Sequence, residues 1–144
     1  MHATVRSILG AQPASKETVT VTDMEAGLEH LSRSTTRGSD VMLVVAEPYY
    51  KSLETADRVN RMAAELEIAN VYVVANKVRN ETDAQAIEAF CQKRDLKIIA
   101  TIPYDEQVAA ASMIPSSPLD KTPETAGVAA VEMLVEAIRT RFLN

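Results

Sequence analysis

Three short and almost unbroken apolar runs recur along the chain: Asp40–Ala46 (DVMLVVA), Asn70–Ala75 (NVYVVA) and Leu96–Thr101 (LKIIAT). A strand with one wet face alternates apolar and polar residues. Runs that do not alternate belong to strands covered on both faces, as in a parallel sheet. A fourth run, Glu17–Thr22 (ETVTVT), is nearly all β-branched and reads as a strand as well.

The stretches between these runs carry the helical period. Leu53, Ala56, Val59, Met62, Ala63 and Leu66 recur at steps of three and four, with Ser52 placed as the cap. Thr82–Gln85 has the form of a capping box, and Ile87, Phe90 and Cys91 continue its apolar stripe. A further short helix is expected over Glu106–Met113. Thr122-Pro123 reads as a cap followed by a first-turn proline, opening a terminal helix whose inner face is Val128, Val131, Leu134, Val135, Ile138 and Phe142. Met1–Leu9 reads as a helix closed by Gly10. Ile114–Pro123 (IPSSPLDKTP) is the one linker. Alternating strands and helices predict a single α/β domain over 1–144, with a mostly parallel sheet flanked by helices. An opening helix with no strand before it implies that the first part of a larger doubly wound sheet is missing.

Charge and composition narrow the function. There are 15 Lys+Arg against 20 Asp+Glu, a net charge of −5, which gives no electrostatic footprint for nucleic acid. No apolar run is long enough for a membrane span, and Met1–Gly10 lacks the layout of a signal peptide. The single cysteine, Cys91, forms no internal disulfide, so the expected location is the cytosol. Of the four glycines, Gly10, Gly27, Gly38 and Gly127, none precedes a lysine. A standard phosphate-cradling loop is therefore not part of this sequence. No nucleophile–histidine arrangement emerges. His30 and Cys91 read as helix residues that are packed or solvated.

Three of the four strand runs are followed by a candidate position. Asp23, with Gly27 four residues on, stands where ligands gather in open α/β sheets. It either holds a hydrated Mg²⁺ or caps the next helix. Asn76-Lys77 ends the run VYVVA: the amide can donate and accept at a base edge, and the lysine stem can lie over a ring. The alternative is a plain polar turn. Pro103-Tyr104-Asp105 follows LKIIAT, where the stiff loop can contact a base while Asp105 caps the helix beyond.

Taken in order, DMEAGLEHLSR, VMLVVAEP with KSLETADRV, VYVVANKV and TIPYDEQV resemble the deviant-Walker ATPases of the MinD/ParA/nitrogenase iron protein group. Within that group they look most like the CooC-type ATPases that mature nickel-containing carbon monoxide dehydrogenase. The resemblance implies a partial P-loop NTPase fold with three layers, of which this chain is the carboxyl-terminal part. It also implies ATP or ADP with Mg²⁺ as ligands, weakly held or lost without the phosphate loop. Asp23 would hold the Mg²⁺ water shell and Gly27 would lie near the γ-phosphate. Asn76 and Lys77 would meet the adenine, with Pro103, Tyr104 and Asp105 on its other side. The partners implied are a second copy or a separate amino-terminal half, joined along the open Glu17–Thr22 edge, and a nickel carbon monoxide dehydrogenase client. A non-catalytic dimerisation or interaction module is the other reading.

Overall fold

A computed structural model describes residues 19–24, 39–115, 117–121 and 123–143. Three of the four expected strands form: β1 (Met42–Ala46), β2 (Val71–Val78) and β3 (Ile98–Pro103). They lie side by side in the order β1-β2-β3, all parallel, with Val44 beside Val73 and Ala46 beside Ala75. The connections are helical: α1 (Tyr50–Glu65) joins β1 to β2, and α2 (Glu81–Lys93) joins β2 to β3. After β3 come α3 (Glu106–Ala111), the single turn α4 (Pro118–Lys121) and the long α5 (Ala126–Phe142).

One face of the sheet holds the core. Val44, Ala46, Val73 and Ala75 pack against Leu53, Ala56 and Val59 of α1 and Ile87 and Cys91 of α2. Each fully buried aliphatic side chain there stabilises the fold by about 1.5–3 kcal/mol. Cys91 is a core residue, and burial pushes its thiol pKa up. On α1, Asp57 pairs with Arg61 at 3.1 Å and reaches Arg94 beyond α2 at 3.7 Å. α5 packs along β3, and on the sheet face opposite the core its Phe142 ring meets Tyr72, with centroids 5.9 Å apart. The β1 part of that second face is open: Val45 is 60% and Leu43 37% exposed.

Several boundaries differ from the sequence reading. The expected Glu17–Thr22 strand is not regular where it is described: residues 19–24 have no regular secondary structure, and Val19 and Val21 are exposed. β-Branched residues favour a strand only through packing on a pleated, half-covered surface. Among the described residues the sheet edge on that side is β1. Ser52 lies inside α1 and caps nothing at its start; its hydroxyl instead accepts from the Glu47 N–H at 2.9 Å. The box that opens α2 is Asn80 with Asp83. The Asn80 side chain accepts from the Asp83 N–H at 2.9 Å, and the Asp83 carboxylate accepts from the Arg79 N–H at 3.0 Å. α5 starts behind Thr125, three residues past the expected cap. It buries Gly127, Val128, Ala130 and Leu134 while Val131 and Val135 stay 43% and 47% exposed. At the start of the helix Gly127 sits close on Asp105. The helix expected over Met1–Leu9, residues 17–18 of the Glu17–Thr22 run, Gly27, His30 and Thr122 lie outside the described residues.

Candidate functional site

The carboxyl ends of β1, β2 and β3 point the same way, so the segments leaving them share one end of the sheet. Glu47 leaves β1, Asn76 and Lys77 fall near the carboxyl end of β2, and Pro103-Tyr104-Asp105 closes β3.

β2 does not stop at Ala75. Val78 pairs with Pro103, and the Tyr104 N–H donates to the Val78 carbonyl at 2.9 Å, so the ladder continues past Asn76. It continues with a break. Between Ala75–Thr101 and Val78–Pro103, β2 spends one residue more than β3, and within that stretch Lys77 has φ 55°. A left-handed non-glycine residue inside a strand is uncommon and marks a bulge.

Side chains around the bulge are partly committed. The Lys77 ammonium donates to Glu47 Oε1 at 2.6 Å, so the lysine is engaged there and does not cover a ring. Arg79 is the cation over the aromatic, its guanidinium carbon 4.2 Å from the centre of the Tyr104 ring. The Asn76 side chain is half-buried, and among the described residues nothing takes its amide. A half-buried amide without a partner is an open position for a ligand that both donates and accepts.

Asp105 is fully employed. Its Oδ2 accepts from the Gly127 N–H at 2.9 Å, and its Oδ1 accepts from the N–H groups of Gln107 and Val108 at 2.9 and 3.2 Å. The carboxylate thus closes the starts of α3 and α5 together. These bonds, that of Gly127 first and that of the Thr125 hydroxyl among the rest, hold its pKa below the ordinary carboxylate value. Of its two sequence roles, the structure fills the cap.

Asp23 is exposed on the irregular segment 19–24, and no cluster of three or more metal-ligating side chains occurs among the described residues. One exposed carboxylate does not cage a Mg²⁺, which takes most of its ligands from water and phosphate. A shallow groove of about 310 Å³ between α3 and α4, lined by Gln107, Ala110, Ala111, Ile114 and Lys121, shares no residue with the strand ends. Sequence reasoning missed Glu47, Arg79 and Gly127. The first two stood inside the quoted VMLVVAEP run and just beyond NKV, but only the fold brings them to Lys77 and Tyr104.

No family model matches the chain. Among curated proteins, an uncharacterized ATP-binding protein of Methanocaldococcus jannaschii is 39% identical over 104 residues, 72% of this chain and 40% of the relative. The carbon monoxide dehydrogenase accessory protein CooC of Rhodospirillum rubrum is 33% identical over 122 residues, 85% of this chain and 46% of the relative. Among solved structures, the MinD cell division protein of Aquifex aeolicus superposes with a TM-score of 0.64 at 18% identity, over 74% of this chain and 47% of that one. The chain spans less than half the length of each of these relatives.

Proposed function

As a relative of the CooC-type ATP-binding proteins with the α/β fold of the MinD/ParA ATPases, this chain, we propose, carries the base-recognising part of an adenine nucleotide site and does not hydrolyse ATP alone. The observation that carries this reading is the half-buried Asn76 amide at the bulged end of β2, which has no partner among the described residues. Its carbonyl would accept from the exocyclic amine of adenine, and its NH₂ would donate to a ring nitrogen. Pro103 and Tyr104 would bound the base on the other side, with Arg79 stacked on the tyrosine and Lys77 fixed beside the amide.

Phosphoryl transfer depends on positioning and on cations around the phosphates. This sequence has no glycine-lysine loop to supply them. Asp23 would contribute no more than one outer contact to a hydrated Mg²⁺, and Gly27 a backbone N–H near the terminal phosphate. ATP or ADP is therefore expected to bind weakly. By analogy with the CooC relative, the whole assembly would serve nickel insertion into a carbon monoxide dehydrogenase in the cytosol. The chain would work as a homodimer or with a separate amino-terminal half. The open Leu43 and Val45 surface favours a second reading, a non-catalytic interaction module.

Titration of the ¹⁵N-labelled chain with ADP tests the first reading. A dissociation constant in the high micromolar range, about −5 kcal/mol, with shifts centred on Asn76, Lys77 and Tyr104, is expected. Shifts confined to residues far from these, or no shifts while the chain associates through β1, would replace it with the second.

A further inference from the structure

Resting on the base-recognition reading, we infer that Glu47 is a positioning residue which, through Lys77, sets the aim of the Asn76 amide and so the preference for adenine. Four observations converge on it. Lys77 has φ 55°, a conformation that its Cβ disfavours and that nothing in the lysine side chain itself rewards. It stands in the stretch where β2 has one residue more than β3, the place where a bulge re-aims its neighbours. Its ammonium is held by Glu47 Oε1 at 2.6 Å across the gap from β1. Glu47 itself is pinned at both ends of its backbone: the N–H donates to Ser52 Oγ at 2.9 Å, and the carbonyl accepts from the Tyr49 N–H at 2.7 Å.

The side chains of the pair are 53% and 31% exposed. An ion pair that wet adds little to folding stability, so stability does not account for a strained residue being kept beneath it. Geometry does. If Lys77 relaxed to ordinary strand dihedrals, the bulge would redistribute and the side chain of Asn76, its immediate neighbour, would turn with it. The Glu47 carboxylate is the counterweight that keeps Lys77 left-handed.

A double-mutant cycle with ADP and GDP as probes tests this. Glu47→Ala should weaken ADP two- to fivefold and leave GDP unchanged, so the preference for ADP falls by the same factor, with the thermal midpoint nearly unmoved. Lys77→Ala, which removes the ammonium and keeps the Cβ that disfavours the left-handed conformation, should lower the preference by the same factor. In that background Glu47→Ala should have no further effect. Equal weakening of ADP and GDP, an unchanged preference, or a further loss of the same size from Glu47→Ala in the Lys77→Ala background would each overturn the role of Glu47 while leaving base recognition standing. A wild-type chain that binds neither nucleotide would remove both.

Discussion

Replacing Val44 and Val45 separately by threonine tests the two faces of β1 with one chemical change. The substitution keeps the branched shape and swaps a methyl for a hydroxyl, so backbone propensity stays nearly constant. Val44 is 8% exposed and packs in the core with Leu53 and Val73, whereas Val45 is 60% exposed on the other face. A hydroxyl buried without a partner costs roughly 1–3 kcal/mol in proteins, while a surface change stays within about 0.5 kcal/mol. For a domain of this size each kcal/mol moves the thermal midpoint by roughly 3–5 °C. Val44→Thr should therefore lower the midpoint by roughly 3–15 °C, and Val45→Thr by no more than about 2 °C. Urea unfolding followed by circular dichroism at neutral pH gives the same comparison as free energies. Equal costs at the two positions would mean that the second face of β1 is covered, and the interaction-module reading would lose its surface.

Three more outcomes follow from the caps. Asn80→Ala removes the acceptor for the Asp83 N–H and should destabilise the chain by about 1 kcal/mol in the same urea assay. Gly127→Ala should also destabilise, despite the better helix propensity of alanine. The added Cβ would sit 3.1 Å from both Cβ and Oδ2 of Asp105, prising the carboxylate off the N–H it accepts from; a lower midpoint in differential scanning calorimetry checks this. The folded chain holds the Asp105 carboxyl below its ordinary value near 3.8. Its contribution is therefore full above about pH 4 and is lost as pH falls through the lower folded value. A stability–pH profile should lose part of its acid slope in Asp105→Asn, and an unchanged slope would count against the latch.

The sheet was legible because its strands are nearly unbroken apolar runs, although the second face of β1 stays open. DVMLVVA, NVYVVA and LKIIAT could hardly be anything else once helical periods were found between them, and each contains or overlaps a strand of the structure. ETVTVT misled because β-branching records how well a residue fits a packed sheet, and residues 19–24 have no such fit. The ends of elements were harder to read. Ser52, Thr82 and Thr122 are good caps in isolation, yet Asn80 and Thr125 do the capping, because tertiary contacts choose among neighbouring candidates. At the site, Asn76 and Pro103–Asp105 could be placed from strand ends alone. The left-handed Lys77, its bond to Glu47 and the Arg79–Tyr104 stack could not, since all three depend on register between strands far apart in sequence.

The central claim is that this chain offers a nucleotide a base site without a phosphate site. Parallel calorimetric titrations with adenosine and with ADP, each with and without Mg²⁺, test it most directly. Both are expected to bind weakly, with affinities within about threefold of each other, or about 0.7 kcal/mol, and indifferent to the metal. ADP binding a hundredfold tighter than adenosine, or requiring Mg²⁺, would show that the chain grips the phosphates after all and would contradict it.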